Sequence, residues 1–386
     1  KLMITNGIHF KNFQINKKFK QITKDLNLIL KKKNQVIQSL SSNYKNSFNV
    51  KRLKKYKKFR NFRVIGMGGS SLGAKAIYDF LRKKTKKHFS FVNDLDVSTE
   101  NKKDNNRLNL VISKSGETLE TIINSNLILS KQDKNLIITE NKDNYLHELA
   151  KKLKAEVIHH NNFIGGRYSV LSETGMLPAE LMGLKSKKFR QLNNLVKNKK
   201  YLNALIFNVS STIFFLKKKK YNSVIMNYDN SSESLFFWYQ QLIAESLGKK
   251  KKGLLPIVSN MPKDNHSVTQ LYLDGFTNNF FTFFFVHEKG SQKIINKNIL
   301  DSKKFLKGKR LIDIMYAQKQ ATENIFKRKG IPFRSFEIFK RDEKTLGELF
   351  NFFILETILL GRAINVNPYD QSAVELIKKE TKKILI

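Results

Sequence analysis

Three hydroxyl side chains, Ser113, Ser115 and Thr118, fall close together in the run LNLVISKSGETLET. An apolar strand pattern ends at Ser113 and a helical pattern begins near Gly116, so all three crowd one helix start. Hydroxyls donate to phosphate oxygens, and the free N–H groups and dipole of a helix start favour an anion. One hydroxyl is enough to cap a helix. Three point to a phosphate cradle, to which Lys114 could add charge. A second turn, Gly66-Met67-Gly68-Gly69-Ser70-Ser71-Leu72-Gly73, also joins a strand to a helix, making Gly68, Gly69 and Ser70 candidate anion contacts. A dinucleotide fingerprint needs glycine where Ser71 stands, and a Walker loop needs Gly-Lys-Ser/Thr; neither is satisfied.

Four further side chains have types suited to proton transfer or charge stabilisation. Glu245 lies late in a helical run, where a surface carboxylate offsetting Lys249 and Lys250 is an equal reading. Arg167 follows Gly165-Gly166; glycines permit close approach to a ligand, although an arginine bridging loops fits the same pattern. His266 opens a helical segment beside Ser267, and an ordinary imidazole titrates near pH 6.5. Lys378 lies in a Lys-rich terminal helix, whose plain reading is a solvated face.

The elements that must position these residues alternate between short apolar strands and helices, which argues for parallel sheets covered on both faces. FRVIGMG, FSFVND, LNLVISKS, NLIITE and AEVIHH read as one set of strands. Residues 175–216 read as a helical connector. NSVIMNY, LLPIVSN, FFTFFFVHE and FRSFEIF form a second set, separated by helices at 232–247, 303–329 and 344–364. Residues 1–60 read as mostly polar helix without a strong core pattern, and NPYDQSAVELIKKETKKILI as an amphipathic helix after an Asn-Pro turn.

The 386 residues are enough for two domains. With 40% hydrophobic and 27% charged residues, the composition is globular. There is no cysteine, so disulfides, thiolate metal sites and cysteine nucleophiles are excluded and a reducing cytoplasm fits. The N-terminal KLMITNGIHFKNF lacks the apolar region of a signal peptide. LFNFFILETILLG is short and carries Glu356, so it reads as a buried helix and not a membrane span. The net charge of +40 could mean nucleic acid, yet no aromatic-interleaved basic stripe or nucleic-acid motif accompanies it. It reads as a Lys-rich composition that attracts anionic substrates, with neither nucleic acid nor membrane as partner.

VIGMGGSSLGAKAI and VISKSGETLET together resemble the sugar isomerase (SIS) domain. GGRYSVLSETGMLP, FWYQQLIAESLGKK, NHSVTQLYLDG and NPYDQSAVELIKK resemble, in order, the motifs of the glucose-6-phosphate isomerase family. The resemblance implies an α/β fold of two SIS domains, each a mainly parallel sheet between helices, spanning 56–185 and 186–366. A helical segment, 1–55, would precede them and a C-terminal helix, 367–386, would follow. It implies aldose–ketose isomerisation through a cis-enediolate, without metal or cofactor. Glu245 would be the base that shuttles the proton, Arg167 the cation beside the enediolate, and His266 and Lys378 the ring-opening pair. Gln371 would contact the sugar phosphate. It also implies a homodimer in which His266 comes from the neighbouring subunit. Ser115 stands where Thr is commoner in the family, Asn265 where Gln is, and Ala373 and Ile377 where Gly is usual. Two other functions are open to the same domain type: a dual isomerase that also accepts mannose 6-phosphate, and a sugar-phosphate-sensing regulator. The regulator would need a DNA-binding segment that residues 1–60 do not offer, and has no use for Glu245, His266 and Lys378 together.

Overall fold

The computed structural model describes residues 1–15, 19–32, 34–96, 106–371 and 373–386. Ser372 of the last motif, and positions 16–18 and 33 of the segment read as helical, lie outside these. The chain begins with a hairpin, β1 (Leu2–Thr5) and β2 (Ile8–Lys11). Helices at Lys20–Lys32 and Gln35–Ser39 follow. The reading of 1–60 as polar helix therefore needs correction over its first eleven residues. β2 alternates burial, with Ile8 and Phe10 inward, and pairs antiparallel with a strand some 320 residues later, through Phe10↔Phe336 and Ile8↔Ile338. Phe10 packs its ring at a tilt against Phe336 at 4.6 Å and Phe352 at 5.5 Å. The helices do carry a core face: Ile22, Leu26 and Ile29 recur at helical spacing and are all buried.

Next come β3 (Asn61–Ile65), β4 (His88–Val92), β5 (Arg107–Ile112), β6 (Lys134–Thr139) and β7 (Glu156–His159). Among the described residues these form a fully parallel sheet in the order β4-β3-β5-β6-β7. Its central strands are near-continuous apolar runs, with Leu108 and Leu110–Ile112 of β5 and Leu136–Ile138 of β6 almost wholly buried. Strands covered on both faces need that pattern. From β3 the chain first adds β4 on one side and then β5 on the other, so strand order reverses between β3 and β5. Ligands of open α/β sheets settle outside the carboxyl ends of the strands at such a reversal. The glycine turn leaves β3 and the hydroxyl run leaves β5. Both motifs thus sit where the topology opens a crevice.

The second sheet contains β8 (Asn222–Asn227), β9 (Leu255–Asn260), β10 (Asn279–Val286) and β11 (Phe333–Ile338). These four are parallel, and the N-terminal hairpin completes the order β1-β2-β11-β10-β8-β9. The helix Glu343–Ala363 is buried at every residue from Thr345 to Gly361, as expected of a helix that is apolar all round. It joins the cores of the two sheets into one apolar cluster. Of its buried carboxylates, Glu348 accepts from the Thr5 hydroxyl at 2.6 Å and Glu356 is paired with Arg334, both partners of that pair being 1% exposed. Arg334 also donates to Asn208 (2.7 Å), Thr282 (2.9 Å) and Tyr239 (3.1 Å), so with Glu356 four of its five N–H donors are engaged. Among the described residues, no helix is long and apolar enough to cross a membrane.

Candidate active site

Backbone contact between two glycine motifs sets the floor of the site. After β3 the chain makes a 3-10 turn, Gly68–Ser70, and enters the helix Leu72–Phe80. Gly68 has φ +51°, and a Cβ there would meet the Gln241 amide at 2.8 Å. At Gly69 a Cβ would lie 2.1 Å from the carbonyl carbon of Gly166. The turn and the Gly165-Gly166-Arg167 segment therefore touch backbone to backbone, which places Arg167 beside the crevice. Gly69→Ala is expected to force the two segments apart, costing about 2–3 kcal/mol as overpacking of a close contact. Urea denaturation would measure this, and turnover should fall with it because Arg167 moves.

Beyond β5 the helix starts at Leu119, three residues later than the sequence suggests. Gly116 takes φ +70°, and any side chain there would collide with Asn144; that turn holds the chain out of the helix until Thr118. Thr118 occupies the N-cap position but makes no side-chain capping bond. Its hydroxyl lies 2.9 Å from that of Ser113, and Ser115 accepts from the Glu117 N–H at 3.2 Å. Of the four residues Ser113, Lys114, Ser115 and Thr118, only Thr118 lines the neighbouring cleft; Ser113 is buried at 1% exposure.

Lys114 does not line the cleft and lies within electrostatic reach of Glu140, Lys142 and His160. Burial, the larger influence, pulls its ammonium below the usual lysine range, against the opposing pull of Glu140. Beside it His160 is fully buried. Its Nδ1 lies 3.0 Å from the Asn161 carbonyl, and among the described residues Nε2 has no partner. Burial pushes this histidine down to about 4. Folded His160 thus stays neutral where an unfolded histidine, titrating near 6.5, takes up a proton. The stability this contributes is complete above about pH 6.5 and is lost as pH falls through 4, by at most about 3 kcal/mol. Urea midpoints at pH 7.5 and 4.5 should therefore differ, and His160→Gln should narrow the difference.

The helix Glu233–Leu247 supplies the opposite wall. Near its end Glu245 faces the cleft with its side chain 22% exposed. One carboxylate oxygen accepts from Arg167 Nη1 at 3.0 Å, and the other from Gln241 Nε2 at 2.9 Å. Arg167, 1% exposed, uses all five of its N–H donors. Nε donates to Ser246 Oγ (2.7 Å); Nη1 donates to Glu245 and to Gln371 Oε1 (2.8 Å); Nη2 donates to the carbonyls of Pro368 (2.8 Å) and Asp370 (2.9 Å). One guanidinium thereby ties the glycine segment, the Glu245 helix and the C-terminal strap together. Lys249 adds a second clasp to that strap, reaching the Asn367 carbonyl at 2.6 Å and Asp370 at 3.0 Å.

The cleft between these walls measures about 1230 Å³. It brings together Gly68, Thr118, Glu245, Gln371 and Lys378, with Arg167 just beneath. Lys378 lies on the exposed helix Val374–Leu385 at the outer edge, its Nζ 2.7 Å from Glu375. Lys379 does not line the cleft. Gly69 and Ser70 are packed into the floor, and neither they nor Ser113, Lys114 and Ser115 reach the opening. His266 is exposed on the turn Lys263–His266 beyond β9 and does not line the cleft. Sequence reading missed Gln241, although its signal was present: a polar residue one helical turn before Glu245 shares its face. Ser246 and Lys249 carried no comparable signal. Among the described residues, no three His, Asp or Glu side chains group to hold a metal ion.

The phosphoglucose isomerase family model matches residues 12–386. A glucose-6-phosphate isomerase of Methanocaldococcus jannaschii is 32% identical, over 82% of this chain and 82% of its own length. One of Mycoplasmopsis pulmonis is 34% identical, over 83% and 82%. The fold is similar to the crystal structure of a glucose-6-phosphate isomerase from Chlamydia trachomatis, with a TM-score of 0.73 at 16% identity, covering 99% of this chain and 89% of that one. Matched from residue 12, just past its second strand, to residue 386, and sharing about a third of its residues with relatives along most of their length, the chain belongs to the phosphoglucose isomerase family.

Proposed function

We propose that this chain interconverts glucose 6-phosphate and fructose 6-phosphate by moving a proton between C1 and C2. The observation that carries this reading is the Glu245 carboxylate, held at both oxygens yet open to a cleft large enough for a hexose phosphate. A base over the carbons must be fixed in place and reach its proton directly. In this scheme Glu245 removes the proton from C2 and returns it to C1. The developing enediolate oxygen lies within the field of Arg167, whose charge is fixed and buried. The phosphate rests at the reversal of strand order, against Thr118 and the N–H groups of the Gly68 turn.

Ring opening requires an acid and a base that this cleft does not fully supply from one chain. Lys378 stands at its edge, and His266 is exposed elsewhere on the surface. That placement supports a homodimer in which the second copy brings His266 to the ring oxygen. Two sugar-isomerase domains, 56–185 and 186–366, account for the two sheets, with the hairpin Leu2–Lys11 joining the second. A chain without cysteine suits a reducing cytoplasm.

The test is a coupled assay of purified protein with glucose 6-phosphate, and with phosphate-free glucose as control. Turnover of the phosphorylated sugar alone is expected. No turnover of glucose 6-phosphate in either direction would overturn the reading.

A further inference from the structure

The helix carrying Glu245 ends at Gly248, and the chain reverses through Lys249-Lys250-Lys251-Lys252. Lys249 and Lys252 exchange both backbone hydrogen bonds, at 3.1 and 2.9 Å. Between them Lys250 and Lys251 take φ of 53° and 58°. Two successive left-handed residues make the tight hairpin turn for which Asn-Gly is the favoured sequence; lysine has no backbone reason to be there. The outer pair is engaged in anchoring the turn. Lys249 reaches the carbonyls of Ser246 and Asn367 and the Asp370 carboxylate, and Lys252 reaches the Ile364 carbonyl at 2.8 Å. The inner pair is exposed, and among the described residues neither ammonium has a hydrogen-bond or ion-pair partner.

All four lysines line the cleft that holds Glu245. Of the three carboxylates on the same cleft, Glu245 is paired with Arg167 and Asp370 with Lys249, which leaves Glu120 beside Thr118 as a single negative charge against the two inner lysines, so the opening keeps a net positive field. Unfavourable backbone conformations persist where the surrounding structure and function hold them. On the isomerase reading above, we propose that Lys250 and Lys251 form a capture site at the cleft mouth, drawing in the phosphate dianion of the substrate before it reaches the Thr118 wall. Like-signed charge along a cleft focuses the field and raises the local concentration of an oppositely charged ligand. Exposed charges act only within the screening length, so the effect must fade with salt.

The double substitution Lys250→Asn/Lys251→Gly removes both charges while giving the turn its preferred residues. Lys199→Gln/Lys200→Gln removes the same charge from an exposed helix start that does not line the cleft. Binding of inorganic phosphate is measured by calorimetry at low and at physiological ionic strength, beside KM and kcat for glucose 6-phosphate. At low salt the turn variant should bind phosphate roughly five- to tenfold more weakly, with KM raised alike and kcat held within about twofold. The salt dependence should flatten and thermal stability should not fall, while the control pair changes phosphate binding by less than about 1.5-fold. Unchanged phosphate binding with the wild-type salt dependence would overturn the proposal. So would an equal loss in the control pair, which would make total charge the cause. If the wild-type protein turns over no sugar phosphate but the turn variant still loses phosphate binding, the isomerase reading falls and the capture site stands.

Discussion

Glu245→Gln should leave a folded protein with kcat lower by about two to four orders of magnitude, the range a positioned general base contributes. The surroundings make this substitution unusually clean. Arg167 Nη1 can donate to the carbonyl oxygen of the new amide as it does to the carboxylate. On the other side the new NH₂ would face the Gln241 NH₂, two donors in conflict. Gln241 resolves this by flipping, because its own Oε1 is buried without a partner among the described residues. Shape and hydrogen bonding are then kept, and only basicity is removed. Urea denaturation should place the variant within about 1 kcal/mol of wild type, the scale of one rearranged hydrogen bond. Steady-state kinetics with KM nearly unchanged would complete the pattern expected when a group acts only in the transition state. A variant retaining most of its turnover would assign the proton transfer to another residue.

Arg167→Lys should be damaging twice over, although it conserves charge. Lysine has three donors on a flexible stem and cannot reproduce a planar fork that reaches five acceptors. The acceptors lie on two segments, Ser246 and Glu245 on one helix and Gln371 with the carbonyls of Pro368 and Asp370 on the C-terminal strap, both met from the glycine segment. Leaving buried carbonyls without partners, and the Glu245 carboxylate with Gln241 alone, should cost about 3–5 kcal/mol, the range for breaking a buried ion pair. Turnover should fall by at least about a hundredfold, since both the anchor of Glu245 and the fixed charge over the enediolate are lost. Ser246→Ala separates the two effects, because of the Arg167 donors it frees only Nε and leaves the Glu245 and Gln371 bonds in place, while Tyr168, which also meets the Ser246 hydroxyl at 2.9 Å, keeps its bond to the Pro368 carbonyl. Its expected cost is about 1–2 kcal/mol with a far smaller kinetic effect. Equal kinetic losses in Ser246→Ala and Arg167→Lys would mean that Arg167 acts through folding alone.

The parts of this site that were legible in the sequence are those with local signatures. Gly68 and the Ser113–Thr118 run could be placed at strand ends because apolar strands and helical periodicity bracket them, and β3 and β5 lie where those patterns put them. The helix containing Glu356 read as buried because its dense apolar run is too short for a membrane span and carries a charge. Illegible were features decided by contacts distant in sequence. Ile8 and Phe10 form an ordinary alternating strand, but four residues in a Lys- and Asn-rich stretch carry little weight until β11 is there to pair with them. The late start of the helix at Leu119 follows from Gly116 meeting Asn144, a contact that spacing around Gly116 does not encode. Arg167 could be singled out by its two preceding glycines, yet its role as a five-bond tie depends on carbonyls at Pro368 and Asp370.

The proton path through Glu245 is tested most directly by running the isomerisation in deuterium oxide and reading C2 of glucose 6-phosphate and C1 of fructose 6-phosphate by NMR. A carboxylate that holds the proton between two carbons beside an open cleft exchanges part of it with solvent during its lifetime on the enzyme. Wild-type protein is therefore expected to place deuterium at those carbons, and Glu245→Gln to place almost none over the same period. Complete retention of the original hydrogen through many wild-type turnovers, or unchanged exchange in Glu245→Gln, would contradict an enediolate formed and quenched by Glu245.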